Sequence, residues 1–404
     1  MAWKMVLPME QRIGFVLAVE QREYPIAELC RQYGISRKTG YKWIRRYRAD
    51  GLEGMRERSR RPLHCPHKTT QQWVDRIIQQ RLKYPRWGPK KIRVVLQEQG
   101  WTGLIPAAST IGNVLDRAGL IKPRKRRRRH KRCFQGPLTE ADRSNHVWGV
   151  DYKGWFRTGD GQRCDPLTVS DLYSRYILGI KALPNQGYAA AREVFEQLFQ
   201  HYGLPEIIRS DNGGPFASTG AGGLSRLSVW WILLGIKLEL IAPGHPEQNG
   251  SHERMHLTLK QEACHPASAN YRAQQRRFNK WRKEFNEQRP HETLQMKKPA
   301  QMYHRSDRAY PKSLMEPSYP PGYQIRRVRT SGEIKWCGRK RFIGEALKGA
   351  PVGVKRIDEG RSQVYFGSIL LGDLHDSDSR GLRPSVYVPQ TYQPEQDVLP
   401  MYSV

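Results

Sequence analysis

The sequence lacks paired cysteines. Its six cysteines, Cys30, Cys65, Cys133, Cys164, Cys264 and Cys337, stand singly. No CxxC pair occurs, which argues against a zinc ribbon or a dithiol redox centre, and scattered thiols fit a reducing compartment. His64, Cys65 and His67 lie close together, but no second ligand pair accompanies them. Long apolar runs are missing too. The most apolar stretch, residues 229–236, is far too short to span a bilayer. No apolar run follows the first charges, so no signal peptide is read. These absences predict a soluble, cytoplasmic chain. Acidic residues are also scarce: 38 Asp and Glu stand against 69 Lys and Arg, a formal net charge of +31. A folded surface carrying that charge repels itself, and a polyanion relieves the repulsion. Nucleic acid is the usual one.

What is present points to several folded parts. The chain has 404 residues, 38% hydrophobic and 10% aromatic, enough for two to four domains at roughly 100–200 residues each. Residues 9–20, 26–33 and 37–49 read as helices. Ile13, Val16 and Leu17 form an apolar stripe, and Ser36 stands where the third helix needs a cap. A short turn with Gly34 joins the last two, the spacing of a helix-turn-helix whose second helix enters the major groove. That helix carries Arg37, Lys38, Lys42, Arg45 and Arg46 as candidate DNA contacts, with Trp43 and Ile44 left to pack inward. Residues 71–83, 89–98 and 109–118 read as further helices, the second opened by Pro89. They form a second helical DNA-binding unit or, in the plainer reading, a spacer. A run from Lys122 to Arg132 that includes Arg126, Arg127 and Arg128 repels itself and reads as a linker that tracks phosphates.

Beyond Asn145 the texture alternates between β and α. Strands are expected over 146–156, 166–171, 176–182, 206–210 and 237–241, and helices over 189–202, 225–234 and 251–263. Gly159-Asp160-Gly161 reads as a hairpin turn. This pattern indicates a mixed α/β sheet. From about Tyr323 short strands follow at close spacing, around 323–329, Trp336, 340–343, 352–357, 363–366 and 368–371, predicting a small barrel or sandwich. The expected architecture is multidomain: a helix-turn-helix domain (1–56), a second helical unit (57–122), a basic linker (123–140), an α/β domain (141–310) and a β-rich, barrel-like domain (311–404).

Three carboxylates stand out in the α/β part. Asp151 lies inside the first strand, in Trp148-Gly149-Val150-Asp151-Tyr152. Asp211 follows a later strand, in Ser210-Asp211-Asn212-Gly213. Glu253 falls in the first turn of a helix, in Gly250-Ser251-His252-Glu253-Arg254. A strand carboxylate between apolar neighbours is costly without a partner, and a divalent cation is one partner. A helix N-terminus keeps Glu253 ionised. Three such oxygens suit Mg²⁺, which keeps water and phosphate as its other ligands. Taken singly, each carboxylate is equally well an ordinary hydrogen-bonded or capping residue.

In their order and number these motifs resemble insertion-element transposases of the DDE, retroviral-integrase-like superfamily. The resemblance runs through 148–152, Ser210 to Gly213, and the segment Pro243-Gly244-His245-Pro246 to Arg254. It continues through Phe285-Asn286, Arg289-Pro290-His291 and Leu294. It implies an RNase H-like integrase core over 141–310. Asp151, Asp211 and Glu253 become a catalytic triad holding two Mg²⁺ ions, for which Mn²⁺ can substitute. Asn212, Gly213, Asn249 and Gly250 shape the loops beside them, His245 approaches a phosphate, and Lys260 contacts DNA from the same helix face as Glu253. The implied function is binding of an element's terminal inverted repeats, cleavage, and strand transfer into target DNA by a homo-oligomer, in the bacterial cytoplasm at the nucleoid and with no membrane partner.

Two departures accompany the resemblance. The step from Asp211 to Glu253 is long for this superfamily, and its surplus is expected in a surface loop over 217–225. Glu247 competes with Glu253 but lacks the following Gly-x-x placement. The His/Cys zinc module of the retroviral enzymes has no counterpart, leaving end recognition to the helix-turn-helix. Two other readings remain at this stage: a DNA-binding regulator whose α/β domain no longer catalyses, and a general RNase H-like nuclease that cuts without regard to sequence.

Overall fold

The computed structural model describes residues 8–22, 24–58, 69–101, 104–121, 138–241, 250–379 and 381–383. The chain divides into two compact units, Met1–Gln71 and Gln72–Val404.

The first unit holds α1 (Pro8–Glu20), α2 (Ile26–Gln32) and α3 (Arg37–Asp50). Phe15, Val16, Leu29, Cys30, Trp43, Ile44 and Met55 form its core. Ser36 caps α3, its hydroxyl accepting from the Thr39 N–H at 3.2 Å. The helices approach closely at Gly40, where a Cβ would lie 2.7 Å from Cys30 Sγ and 2.9 Å from the Phe15 ring. A larger residue there would separate α3 from α1 and α2.

The second unit begins with α4 (Gln71–Lys83), α5 (Pro89–Glu98) and α6 (Ala108–Arg117), close to the expected spans. Ile77, Trp87, Ile92, Leu96, Ile111 and Leu115 bury their shared face. This bundle lies against the α/β part through polar contacts. Tyr84 Oη donates to Gln288 Oε1 at 2.9 Å, and Lys298 Nζ stands 2.7 Å from Glu98.

The α/β part is a six-stranded sheet built from β1 (Val147–Tyr152), β2 (Phe156–Arg157), β3 (Arg163–Asp171), β4 (Ile177–Leu183), β5 (Ile207–Ser210) and β6 (Lys237–Leu240). β3 runs antiparallel to β1, β2 and β4, while β5 is parallel to β1 and β6 parallel to β5. α7 (Tyr188–Tyr202) and α8 (Arg226–Leu233) cover one face over Trp148, Val150, Phe195, Phe199, Trp230 and Trp231. The other face takes α9 (Gly250–Leu259), which ends in a π turn over Lys260–Cys264, and α10 (Tyr271–Glu287), packed through Ile180, Leu259, Phe278 and Trp281. No element was expected over 271–287, although Phe278, Trp281 and Phe285 sit at helical spacing. Asn286 ties α10 to β4: its amide accepts from the Ile177 N–H and donates to the Ile177 carbonyl, both at 2.9 Å.

The C-terminal part carries β7 (Tyr323–Arg327), β8 (Glu333–Trp336), β9 (Arg339–Phe342), β10 (Pro351–Asp358), β11 (Arg361–Phe366) and β12 (Ile369–His375). They form a four-stranded antiparallel sheet ordered β12-β11-β10-β7 and a β8–β9 hairpin. The stretch 217–225 is only partly a surface loop. Leu224 is buried with Val229 and Ile232 of α8 among Val352, Val364, Phe366 and Leu371, and Ser225 caps α8 by accepting from the Ser228 N–H at 3.1 Å. The extra length between Asp211 and Glu253 thus seats the C-terminal sheet on the α/β core.

Candidate active site

Strand alternation decides where Asp151 points. Trp148 and Val150 enter the core under α7 and α8, which sends Gly149 and Asp151 to the α9 face. There His256 Nδ1 stands 3.6 Å from Asp151 Oδ2, and the Asp151 side chain keeps 21% exposure. Burial, and then the negative charge of Asp211, push the Asp151 carboxyl up to about 7. Glu253 adds to the rise, and Lys153 opposes it.

Asp211 is exposed just past β5, the parallel neighbour of β1. The Gly213 N–H donates to its Oδ1 at 3.2 Å. Asn212 Nδ2 donates to the Ile241 carbonyl at 2.6 Å and ties this turn to the end of β6. Glu253 is exposed in the first turn of α9, which Gly250 opens. Negative charge from two directions therefore falls on a carboxylate that burial already disfavours as an anion. Carboxylate oxygens are the donors that a hard divalent cation takes, and such a cation would relieve the mutual repulsion. No group of three His, Cys, Asp or Glu side chains among the described residues is gathered tightly enough to form a metal cluster as the chain stands. Asn249, His245 and Glu247 lie outside the described residues, as do Arg126, Arg127 and Arg128. Lys260 is exposed, at the start of the π turn that follows α9.

Two residues beside Glu253 escaped the sequence reading. His252 and His256, four apart and so on one helix face, point into the sheet. Both Nε2 atoms meet Thr168 Oγ1, at 2.7 and 2.6 Å. Burial holds both rings neutral, with pKa values lowered to about 3 for His252 and about 2 for His256. Behind them, Glu262 accepts from Trp281 Nε1 at 2.7 Å and pairs with Arg289 at 2.9 Å, fixing the π turn to α10.

On α3 the exposed face runs Lys38, Tyr41, Lys42, Arg45 and Arg48 along a shallow groove, with Arg37 exposed at its start. Arg46 is less open to solvent than Arg45 and Arg48. It is half-buried with its guanidinium 4.9 Å over the Trp43 ring, and one of its nitrogens is buried without a hydrogen-bond partner among the described residues. Tyr41 and Arg48 also lie on the exposed face.

Comparison with known proteins bears on the same segments. Residues 141–246 and 234–299 match Integrase core domain families, residues 11–62 a Helix-turn-helix domain, and residues 39–115 a Homeodomain-like domain. An uncharacterized 31.7 kDa protein of insertion element IS407 from Burkholderia multivorans is 24% identical over 60% of this chain and 84% of its own length. A 39.2 kDa protein of insertion element IS476 from Xanthomonas euvesicatoria is 26% identical over 63% of this chain and 71% of its own.

Residues 141–299 thus carry an integrase core, and the chain is similar to proteins of insertion elements.

The Gag-Pol polyprotein of baboon endogenous virus is 26% identical over 46% of this chain, which spans only 10% of that polyprotein. Among solved structures, the HTLV-2 integrase catalytic core in complex with magnesium aligns at 17% identity, covering 41% of this chain and 100% of its own, with a TM-score of 0.33. No helix among the described residues is long and apolar enough to cross a membrane.

Proposed function

We propose that this chain is a DNA transposase that binds the terminal inverted repeats of its own element, cleaves the DNA there, and joins the freed ends to target DNA. The observation that carries this reading is the integrase core itself, in which β1 carries Asp151, its parallel neighbour β5 leads into Asp211, and α9, whose His256 faces Asp151, carries Glu253. Asp151, Asp211 and Glu253 would hold two divalent ions, Mg²⁺ or Mn²⁺. Bound there, the ions would lower the pKa of the attacking oxygen and neutralise the leaving one. The chain's own part is geometric. β1, β5 and α9 present the three carboxylates. Lys260 and the exposed face of α3 contact the DNA backbone, as do Arg126, Arg127 and Arg128 of the basic run. Asn212 and Gly213 hold the Asp211 turn, and Asn249 and Gly250 open α9.

In the first step water attacks the phosphorus at the element end, and the P–O bond that breaks leaves a 3′-hydroxyl on the element. That hydroxyl then attacks a target phosphodiester, and the displaced target oxygen takes a proton. No tyrosine or serine nucleophile is required. Joining two ends in one event calls for at least two copies on DNA, acting in the cytoplasm at the nucleoid. The test uses linear DNA carrying the element ends, with Mg²⁺. The full chain should yield strand-transfer product, and Asp151→Asn, Asp211→Asn and Glu253→Gln should each abolish it while end binding persists. Full transfer by Asp151→Asn would sink the assignment.

A further inference from the structure

The hydroxyl of Thr168 is buried in β3, and its contacts join the two elements that carry Asp151 and Glu253. It lies 2.9 Å from the Asp151 backbone carbonyl, 2.7 Å from His252 Nε2 and 2.6 Å from His256 Nε2. A carbonyl only accepts, so the single hydroxyl proton is donated to Asp151. Thr168 then has only lone pairs left for the two imidazoles, and both neutral rings must carry their proton on Nε2. His252 Nδ1 is thereby an acceptor, and the Ser170 hydroxyl at 3.2 Å can supply it. His256 Nδ1 is an acceptor too, and it faces Asp151 Oδ2 at 3.6 Å.

We infer that Thr168, with His252 and His256, is a positioning element of the transfer site: one hydroxyl locks the strand bearing Asp151 to the helix bearing Glu253. Thr168, His252 and His256 are all buried, and the two imidazoles meet edge to face at 4.7 Å. The strand leaves room for them at Gly149, where a Cβ would stand 3.1 Å from His252 Nδ1 and 2.7 Å from Leu172 Cδ2. Glu253 adjoins His252 in sequence, so any rotation of α9 that frees the His252 ring also swings Glu253 away from Asp151. The interlock rests on the transposase reading for its purpose, but its hydrogen-bond pattern does not.

The test compares the full chain with Thr168→Val, which keeps the shape and removes the hydroxyl, and Thr168→Ser, which restores it. Imidazole ¹⁵N NMR reads the tautomers, Mn²⁺ EPR titration reads cation affinity, and strand transfer reads kcat and KM. The wild type should show His252 and His256 as Nε2–H tautomers. Thr168→Val should mix the tautomers, weaken Mn²⁺ binding about tenfold, and lower kcat about 10–100-fold with KM for DNA changed less than about twofold. Thr168→Ser should recover kcat to within about threefold. A folded Thr168→Val with wild-type tautomers, Mn²⁺ affinity and kcat overturns the inference. If Thr168→Val does not fold, His256→Gln, which keeps a donor at the Nε2 position, and His256→Ala, which does not, replace it. Equal kcat and Mn²⁺ affinity in that pair also overturns the inference. A wild type that transfers no strand in Mg²⁺ or Mn²⁺ removes the transposase reading instead, and the tautomer and Mn²⁺ measurements still decide the interlock.

Discussion

Replacing Asp151 by asparagine removes a negative charge from a site that burial and two neighbouring carboxylates already make hostile to anions. Burial first, and then the neighbouring negative charge, raise the Asp151 carboxyl from its ordinary 3.8 to about 7. A raised carboxyl pKa means that the folded state holds the proton more tightly than the unfolded chain does. The resulting stability is fully present below about pH 4, declines as the pH rises, and is gone above about 7. At about 1.4 kcal/mol per tenfold change in the protonation equilibrium, the rise corresponds to about 4 kcal/mol as a ceiling. Asparagine does not titrate and suffers no such loss. In chelator, Asp151→Asn should therefore match the wild type near pH 4 and exceed it at pH 8. At roughly 2–4 °C per kcal/mol for a unit of this size, the gain in unfolding midpoint should approach about 10 °C. Calorimetry across pH 4–8 measures it. Saturating Mg²⁺ should shrink the gap by stabilising the wild type alone, through preferential binding to the fold. A variant no more stable than the wild type at pH 8 would mean that neither burial nor the neighbouring carboxylates raise the Asp151 carboxyl, and the charge argument for the triad would fall.

Asn286→Ala should destabilise the second unit by about 2–4 kcal/mol in urea unfolding, because it strands the Ile177 N–H and carbonyl that the amide now pairs. The buried neutral imidazoles of His252 and His256 work in the opposite sense to Asp151. Their pKa values are lowered, so the stability they carry is intact above about pH 6.5 and falls as the pH drops below it. In His252→Asn/His256→Asn that acid-side slope should flatten. Lys38→Ala and Arg45→Ala should each weaken binding to element ends and reduce its salt slope by about 1. Arg46→Ala should instead lower the unfolding midpoint of the first unit and leave the salt slope unchanged, because its guanidinium lies on Trp43. Leu224→Ala should cost about 2–3 kcal/mol and lower the midpoint of the transition that includes the C-terminal sheet, since Leu224 is buried in that core.

Much of this protein could be read along the chain because the deciding signals were local. An apolar stripe set α1, the Pro89 start set α5, and the Ser36 cap set the beginning of α3. Charge alone pointed to nucleic acid, and the order of the motifs pointed to the superfamily. α10 escaped because its many charges obscure a three-residue apolar stripe. Composition does not tell which basic side chains on one helix turn onto a tryptophan, as those of Lys42 and Arg46 do. The stretch 217–225 looked like surplus until the C-terminal sheet was seen seated on Leu224. His252 and His256 showed their spacing in the sequence but not their partner, because Thr168 lies more than eighty positions away. The sequence by itself determined most of the elements and the charge, and it singled out the three carboxylates, because these depend on neighbours a few residues apart. Only the tertiary structure decided which charges press on Asp151 and which hydroxyl holds α9 to the sheet, because electric fields and hydrogen bonds act over ångströms of space and take no account of distance along the chain.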